Sequence, residues 1–140
     1  MSDGKTQLRL ADSPGRIEKK RVLVIDDEEA FCAFVGYALE NTGRYKVITA
    51  TQPMQGITMA RAMRPDLILL DMKMPHMDGS QVAETLLEET ETKSIPIVFI
   101  TGLVTNEETG HRQMDVAGRT IIAKPVTKDE LLQAVGRIFT

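Results

Sequence analysis

Short apolar runs alternate along this chain with segments in which apolar residues recur at helical spacing. The strand-like runs are 21–26, 45–50, 66–71, 95–101 and 119–123. Two of them, 66–71 and 95–101, are almost continuously apolar, which is typical of parallel strands covered on both faces. The alternation of the two patterns predicts an α/β protein built around one five-stranded parallel sheet with helices on both of its faces.

Four segments between and after these runs have clear helical patterns. They are 28–41, 53–64, 80–91 and 127–139. In the first, Phe31, Val35 and Leu39 recur at the spacing of a core-facing stripe. The last begins at Thr127, with Glu130 three residues later, a pair that predicts a capping box. The remaining connection, 105–115, is polar, so we expect its helix to be short, irregular or more mobile than the others.

Composition and charge limit the domain organisation and the classes of function that this chain can have. The 140 residues allow one domain, which we assign to 21–140, preceded by a flexible basic tail at 1–20. The formal net charge of −3 gives no support for direct nucleic-acid binding, and no apolar stretch is long enough to span a membrane. The single Cys32, read as a small buried hydrophobe, and the lack of an apolar leader favour a cytoplasmic protein.

Polar groups follow four of the apolar runs directly. Asp26 and Asp27 close the first, Asp71 the third, Thr101 the fourth and Lys124 the last. Because parallel strands end at the same edge of a sheet, these side chains are expected to gather where open α/β sheets bind ligands. Three carboxylates, a hydroxyl and an ammonium group predict a divalent-metal and phosphoryl site.

Each of these side chains can be given a role in phosphoryl transfer. Asp71 is placed to attack an activated phosphoryl group and form an acyl phosphate. The adjacent acids would repel each other without a cation, and Mg²⁺ suits carboxylate ligands best. Lys124 and Thr101 would hold phosphoryl oxygens. Taken singly, the signals are weak, since Asp26 or Asp27 could simply cap the following helix.

The combination resembles the response-regulator receiver domains of two-component signalling, the family of the chemotaxis protein CheY. The resemblance covers about residues 20–140. It rests on Val-Leu-Val-Ile-Asp26-Asp27-Glu28, on Asp71-Met-Lys-Met-Pro-His-Met-Asp-Gly79, on Ile-Thr101-Gly and on Lys124-Pro125. The resemblance implies a three-layer, doubly wound, flavodoxin-like fold with strand order 2-1-3-4-5.

The resemblance also implies a role for each site residue. Asp71 would accept a phosphoryl group from a histidine kinase, a phosphotransfer protein or a small phosphodonor. Mg²⁺, with Mn²⁺ as an alternative, would be bound by Asp27, Asp71 and the backbone carbonyl of Lys73, and by Asp26 mainly through water. Thr101 would move toward the phosphoryl group on activation.

Lys124 would pair with the phosphoryl group, and the Lys124–Pro125 peptide bond is expected to be cis. The chain would then be a switch without an output domain of its own. It would catalyse only its own phosphorylation and dephosphorylation, and it would signal to a downstream protein as a monomer or a phosphorylation-dependent dimer.

Departures from the family pattern bear on how the signal leaves the site. Ile121 stands where family members often carry an aromatic ring, so an aliphatic rearrangement would replace an aromatic switch. Lys73 and Leu103 occupy positions where relatives tune hydrolysis of the phosphoryl group. Neither is an obvious water-orienting acid or amide, which leads to the hypothesis of slow self-dephosphorylation.

Three alternatives stay open at this point. The chain could be a pseudo-receiver that only binds other proteins. It could be the receiver fragment of a larger response regulator or hybrid kinase. Less favoured is an aspartyl-nucleophile phosphatase of the haloacid-dehalogenase type, because Lys73 stands where such an enzyme would carry a second acid.

Overall fold

The computed structural model describes residues 18–102, 113–116 and 119–140. Its strands are β1 (Lys20–Ile25), β2 (Tyr45–Ala50), β3 (Leu67–Asp71), β4 (Ile97–Thr101), β5 (Gln113–Val116) and β6 (Arg119–Ala123). Its helices are α1 (Glu29–Glu40), α2 (Pro53–Met63), α3 (Gly79–Glu88) and α4 (Lys128–Ile138). The predicted elements therefore recur within a few residues of their expected bounds, apart from the segment before β6.

The strands form one sheet in the order β2-β1-β3-β4-β6-β5. The first five in this order are parallel, which confirms the predicted order of the five main strands. β5 is an addition, paired antiparallel to β6. It gives backbone partners to an edge of β6 that the five-stranded arrangement would leave open.

The helix predicted for 105–115 is wrong at its C-terminal end, because 113–115 belong to β5. The segment has no apolar stripe to hold a helix against the sheet, and pairing with β6 gives the backbone groups of 113–115 partners instead. The rest of that predicted helix lies outside the described residues. The same is true of Leu103 and of residues 1–17 of the predicted tail.

Two hydrophobic cores lie on the two faces of the sheet. Val22 and Val24 of β1 point to the face covered by α1 and α4, whereas Leu23 and Ile25 point to the face covered by α2 and α3. This alternation follows from the two-residue period of a strand. β3 is fully buried along its length, as predicted from its continuous apolar run. Its last residue, Asp71, therefore lies at the carboxyl edge of the sheet, at the end of a fully buried strand.

Local signals at the helix ends also act as expected. Thr127 Oγ1 accepts a hydrogen bond from the Glu130 amide at 3.1 Å, and Glu130 Oε1 accepts one from the Thr127 amide at 2.9 Å. This capping box begins α4 directly after the Lys124–Pro125 bond, which is cis as predicted. Within the ranges that the structure describes, no helix has the length and apolar character needed to cross a membrane.

Candidate functional site

Three carboxylates meet at the carboxyl edge of the sheet. β1 ends at Ile25, so Asp26 and Asp27 lie just beyond it, while Asp71 is the last residue of β3 next door. One carboxylate oxygen from each aspartate lies within 4.8 Å of the others. Asp26 is 0% exposed and Asp71 5%, whereas Asp27 is exposed and opens the cluster to solvent. The edge is therefore a half-open acidic pocket.

Burial and mutual repulsion make this pocket costly for negative charge. Burial, followed by the nearby charge of Asp26, raises the pKa of Asp71 to about 7. Burial also raises the pKa of Asp26, against the opposing effects of its hydrogen bond with the Glu28 amide and of Lys124. Cations and electrophilic groups that neutralise carboxylates are accordingly favoured here.

Lys124 brings a positive charge from the end of β6. Its Nζ atom lies 2.9 Å from Asp26 Oδ2 and 2.6 Å from Glu28 Oε1, and it sits 4.5 Å from the centre of the Phe31 ring. Burial lowers the pKa of Lys124, but the carboxylates of Glu28 and Asp26 outweigh it and keep the pKa above its ordinary value. Lys124 is therefore charged in this arrangement.

The contact with Asp26 is an ion pair without the alignment of a hydrogen bond. Asp26 Oδ1 accepts a hydrogen bond from the Glu28 amide at 2.8 Å. Within the described part of the chain, Oδ2 has no hydrogen-bond partner, although Nζ of Lys124 is 2.9 Å away. A buried carboxylate oxygen that is only partly satisfied fits further ligation by a cation or a bound water. Asp26 also does not cap α1, because Glu28 occupies the N-cap position.

Thr101 lies on β4, the strand next to β3, and Ile121 lies on β6, on the other side of β4. Thr101 ends β4, is fully buried, and its backbone carbonyl accepts a hydrogen bond from the Lys124 amide at 2.8 Å. The hydroxyl-bearing and ammonium-bearing residues are thus neighbours at the same edge. Ile121 is 5% exposed, pairs in register with Phe99 and belongs to the core on the α2 and α3 face.

The loop after β3 packs tightly against Asp71. The Lys73 amide lies 3.4 Å from Asp71 Oδ1, while the Lys73 side chain is exposed. The Gly79 amide donates a hydrogen bond to the Met72 carbonyl at 2.9 Å. A Cβ atom on Gly79 would lie only 2.3 Å from the Asp71 carbonyl oxygen, so no other residue fits without moving the backbone. Gly79 thereby fixes the loop that presents Asp71.

The residues present fit a divalent cation bound by oxygen. The three clustered aspartates supply one carboxylate oxygen each, and these oxygens lie within 4.8 Å of one another. Hard oxygen ligands in a partly solvated pocket are the donor set that Mg²⁺ prefers. The repulsion that raises the pKa of Asp71 is the kind of electrostatic cost that a bound cation relieves.

Two neighbours of Lys124 were not among the residues predicted for the site. Glu28 and Phe31 contact its ammonium group, although the sequence pattern places both in the first helical segment and gives neither a role in the site. The position of Glu28, directly after the acid pair in Asp26-Asp27-Glu28, was the available signal. Nothing local in the sequence connects either residue to Lys124.

Comparison with known proteins identifies the arrangement. The family model described as the response regulator receiver domain matches residues 22–136, which is most of the chain. This chain belongs to the response regulator receiver domain family. Receiver domains are phosphorylation-controlled switches of two-component signalling, which interact with histidine kinases or phosphotransfer proteins and with downstream targets.

Similar proteins include both short and long relatives of this receiver domain. Protein PilH of Pseudomonas aeruginosa is 30% identical over 121 residues, which cover 85% of this chain and 97% of PilH. The DNA-binding dual master transcriptional regulator RpaA of Synechocystis is 32% identical over 115 residues. Those residues cover 82% of this chain but only 47% of RpaA. The chain thus spans nearly all of one relative and about half of the other.

Solved structures agree with the fold of this receiver domain. The chemotaxis protein CheY4 of Vibrio cholerae superposes with a TM-score of 0.74 at 26% sequence identity, covering 86% of this chain and 99% of that one. A CheY-like receiver domain protein of Methanospirillum hungatei gives a TM-score of 0.71 at the same identity, covering 86% and 93%. The order of the five parallel strands is therefore that of a CheY-like receiver.

Proposed function

We propose that Asp71 is the phosphoacceptor of this receiver. The observation that supports the proposal most directly is the position of its carboxylate, at the end of a buried strand and clustered with Asp26 and Asp27. A carboxylate oxygen of Asp71 attacks the phosphorus of a phosphohistidine. The phosphorus–nitrogen bond breaks as the phosphorus–oxygen bond forms, and the released imidazole nitrogen takes up a proton. The product is an aspartyl phosphate.

The residues that would hold Mg²⁺, or Mn²⁺ in its place, are Asp27, Asp71 and the backbone carbonyl of Lys73, with Asp26 acting mainly through water. When bound, the ion neutralises carboxylate and phosphoryl charge. Asp26 keeps its own position through the Glu28 amide, which donates to Oδ1 at 2.8 Å. Asp27, being exposed, leaves the entrance of the pocket open to a phosphodonor.

Lys124 and Thr101 bind the transferred phosphoryl group. The ammonium group of Lys124 pairs with one phosphoryl oxygen, and the Thr101 hydroxyl donates a hydrogen bond to another. The movement of Thr101 is passed to the α2 and α3 face of the sheet by repacking of Ile121, which lies one strand away in the core. An aliphatic side chain gives this step a smaller displacement than an aromatic ring would.

The protein catalyses only its own phosphorylation and slow dephosphorylation, and is no enzyme for other substrates. It acts in the cytoplasm by changing its affinity for a downstream protein, as a monomer or a phosphorylation-dependent dimer, without direct contacts to nucleic acid or membrane. A histidine kinase, a phosphotransfer protein or a small phosphodonor supplies the phosphoryl group.

The test is phosphorylation by acetyl phosphate in the presence of Mg²⁺, followed by intact-protein mass spectrometry. Wild type is expected to gain one phosphoryl group and Asp71→Asn none. Asp129→Asn is the matched control, because Asp129 is an exposed carboxylate in the first turn of α4. Equal labelling of wild type and Asp71→Asn would rule out Asp71 as the acceptor.

A beryllofluoride complex separates this proposal from a pseudo-receiver. Beryllofluoride with Mg²⁺ mimics an aspartyl phosphate, so its binding should shift NMR resonances around Thr101 and Ile121 in wild type but not in Asp71→Asn. A pseudo-receiver would show no such shift in either protein.

A further inference from the structure

The charged partners of Lys124 are the starting point. Among the described residues its ion pairs are with Glu28 at 2.6 Å and Asp26 at 2.9 Å, and no ion pair joins it to Asp71. The ring of Phe31, at the N-terminal end of α1, lies 4.5 Å from the same ammonium group. Lys124 is thus held on the α1 side of the pocket, although the proposed phosphorylation requires it to contact a group attached to Asp71.

Glu28 has no evident structural task that would explain this contact. Its side chain is 61% exposed, and although it stands at the N-cap position of α1 it makes no capping hydrogen bond there. The backbone of Glu28, rather than its side chain, holds Asp26. Removing the carboxylate therefore leaves the helix start and the metal-binding loop intact while it frees one side of Lys124.

We propose that Glu28 is a positioning residue that holds Lys124 in the unphosphorylated receiver and competes with the incoming phosphoryl group for its ammonium. This inference rests on the proposed phosphorylation of Asp71. A phosphoryl group carries more charge than a single carboxylate and offers several strong acceptor oxygens, so it displaces Glu28 once transfer begins. Because Glu28 is exposed, its ion pair with Lys124 is weak enough to slow phosphorylation without preventing it.

The test compares Glu28→Gln with Glu29→Gln. Glu29 is also exposed and adjacent in sequence, and in the described part of the chain no ion pair involves it, so the control removes the same charge without touching Lys124. Initial rates of phosphorylation by acetyl phosphate are measured at saturating Mg²⁺. Glu28→Gln is expected to react about two- to fivefold faster than wild type, the factor that corresponds to an exposed ion pair. Glu29→Gln is expected to match wild type.

Ionic strength provides a readout that a merely structural role would not change. Salt screens the exposed pair of Glu28 and Lys124, so the advantage of Glu28→Gln over Glu29→Gln should shrink toward one at high salt. Glu28→Asp keeps the charge on a shorter side chain and should lie between wild type and Glu28→Gln. Unchanged thermal midpoints would confirm that each variant is folded.

The outcomes distinguish this inference from the proposal on which it rests. Rates for Glu28→Gln that equal or fall below those of Glu29→Gln at low salt overturn the role of Glu28, while phosphorylation of Asp71 stands. Wild type that takes up no phosphoryl group, or takes it up equally well as Asp71→Asn, overturns both. An advantage of Glu28→Gln that is undiminished by salt also overturns the competition for Lys124.

Discussion

The substitution Asp71→Asn should stabilise the metal-free protein at alkaline pH and leave it unchanged in acid. Asp71 is 5% exposed, and burial together with the charge of Asp26 raises its pKa from 3.8 to about 7. The folded state therefore holds the Asp71 proton more tightly than the unfolded state does. Below about pH 4 the carboxyl is protonated in both states, and ionisation contributes nothing to the stability difference.

As the pH rises from about 4 to 7, Asp71 ionises in the unfolded chain but stays largely protonated in the folded chain. The free energy of unfolding of wild type therefore decreases across this pH range. At 1.36 kcal/mol per pH unit, the difference between 3.8 and about 7 corresponds to roughly 4 kcal/mol. Asparagine cannot ionise and so avoids this cost, from which the attraction between Asp71 and Lys124 is already subtracted. We therefore expect Asp71→Asn to gain ~2–4 kcal/mol at pH 8.

The assay is urea denaturation in the presence of a chelator at pH 8 and pH 4, with Asp129→Asn as the control for loss of an exposed carboxylate. The free energy of unfolding of Asp71→Asn should exceed that of wild type at pH 8 and approach it at pH 4. Equal free energies of unfolding at pH 8, or the same increase in Asp71→Asn at pH 8 and pH 4, would show that a buried charge at Asp71 does not destabilise the folded state.

Three further results are expected. Mg²⁺ at a hundredfold excess over its dissociation constant should raise the free energy of unfolding of wild type by about 2.7 kcal/mol. Asp27→Asn should lose most of this gain. An equal gain in both proteins would show that Asp27 is not a ligand of the ion. Gly79→Ala should slow phosphorylation of Asp71 by acetyl phosphate at least tenfold, because its Cβ would lie 2.3 Å from the Asp71 carbonyl oxygen. A wild-type rate in this variant would show that the loop can move to admit the Cβ atom without displacing Asp71. Cys32 is 5% exposed, and burial raises the pKa of its thiol to about 11. It should therefore react with a disulfide reagent only after unfolding. Rapid labelling of the native protein would contradict its burial.

The sequence alone determined the five parallel strands and four of the helices. Continuous apolar runs and helical stripes are local patterns, and right-handed crossovers leave few ways to connect them. The gathering of Asp26, Asp71, Thr101 and Lys124 followed from the same reasoning, since parallel strands end at one edge. Family resemblance then supplied roles that no periodicity could reveal, including the cis bond after Lys124.

Only the tertiary structure decided how these groups meet. Glu28 and Lys124 are 96 positions apart, and their contact depends on how α1 packs beside the end of β6. The antiparallel pairing of 113–116 with β6 was also seen only in the structure, because the polar segment 105–115 shows no strand pattern. Burial of Asp71, and the charge of Asp26 beside it, set a pKa that its sequence neighbours do not dictate. For Lys124 and for Asp71 the deciding interactions join residues distant in the chain, where local pattern carries no information.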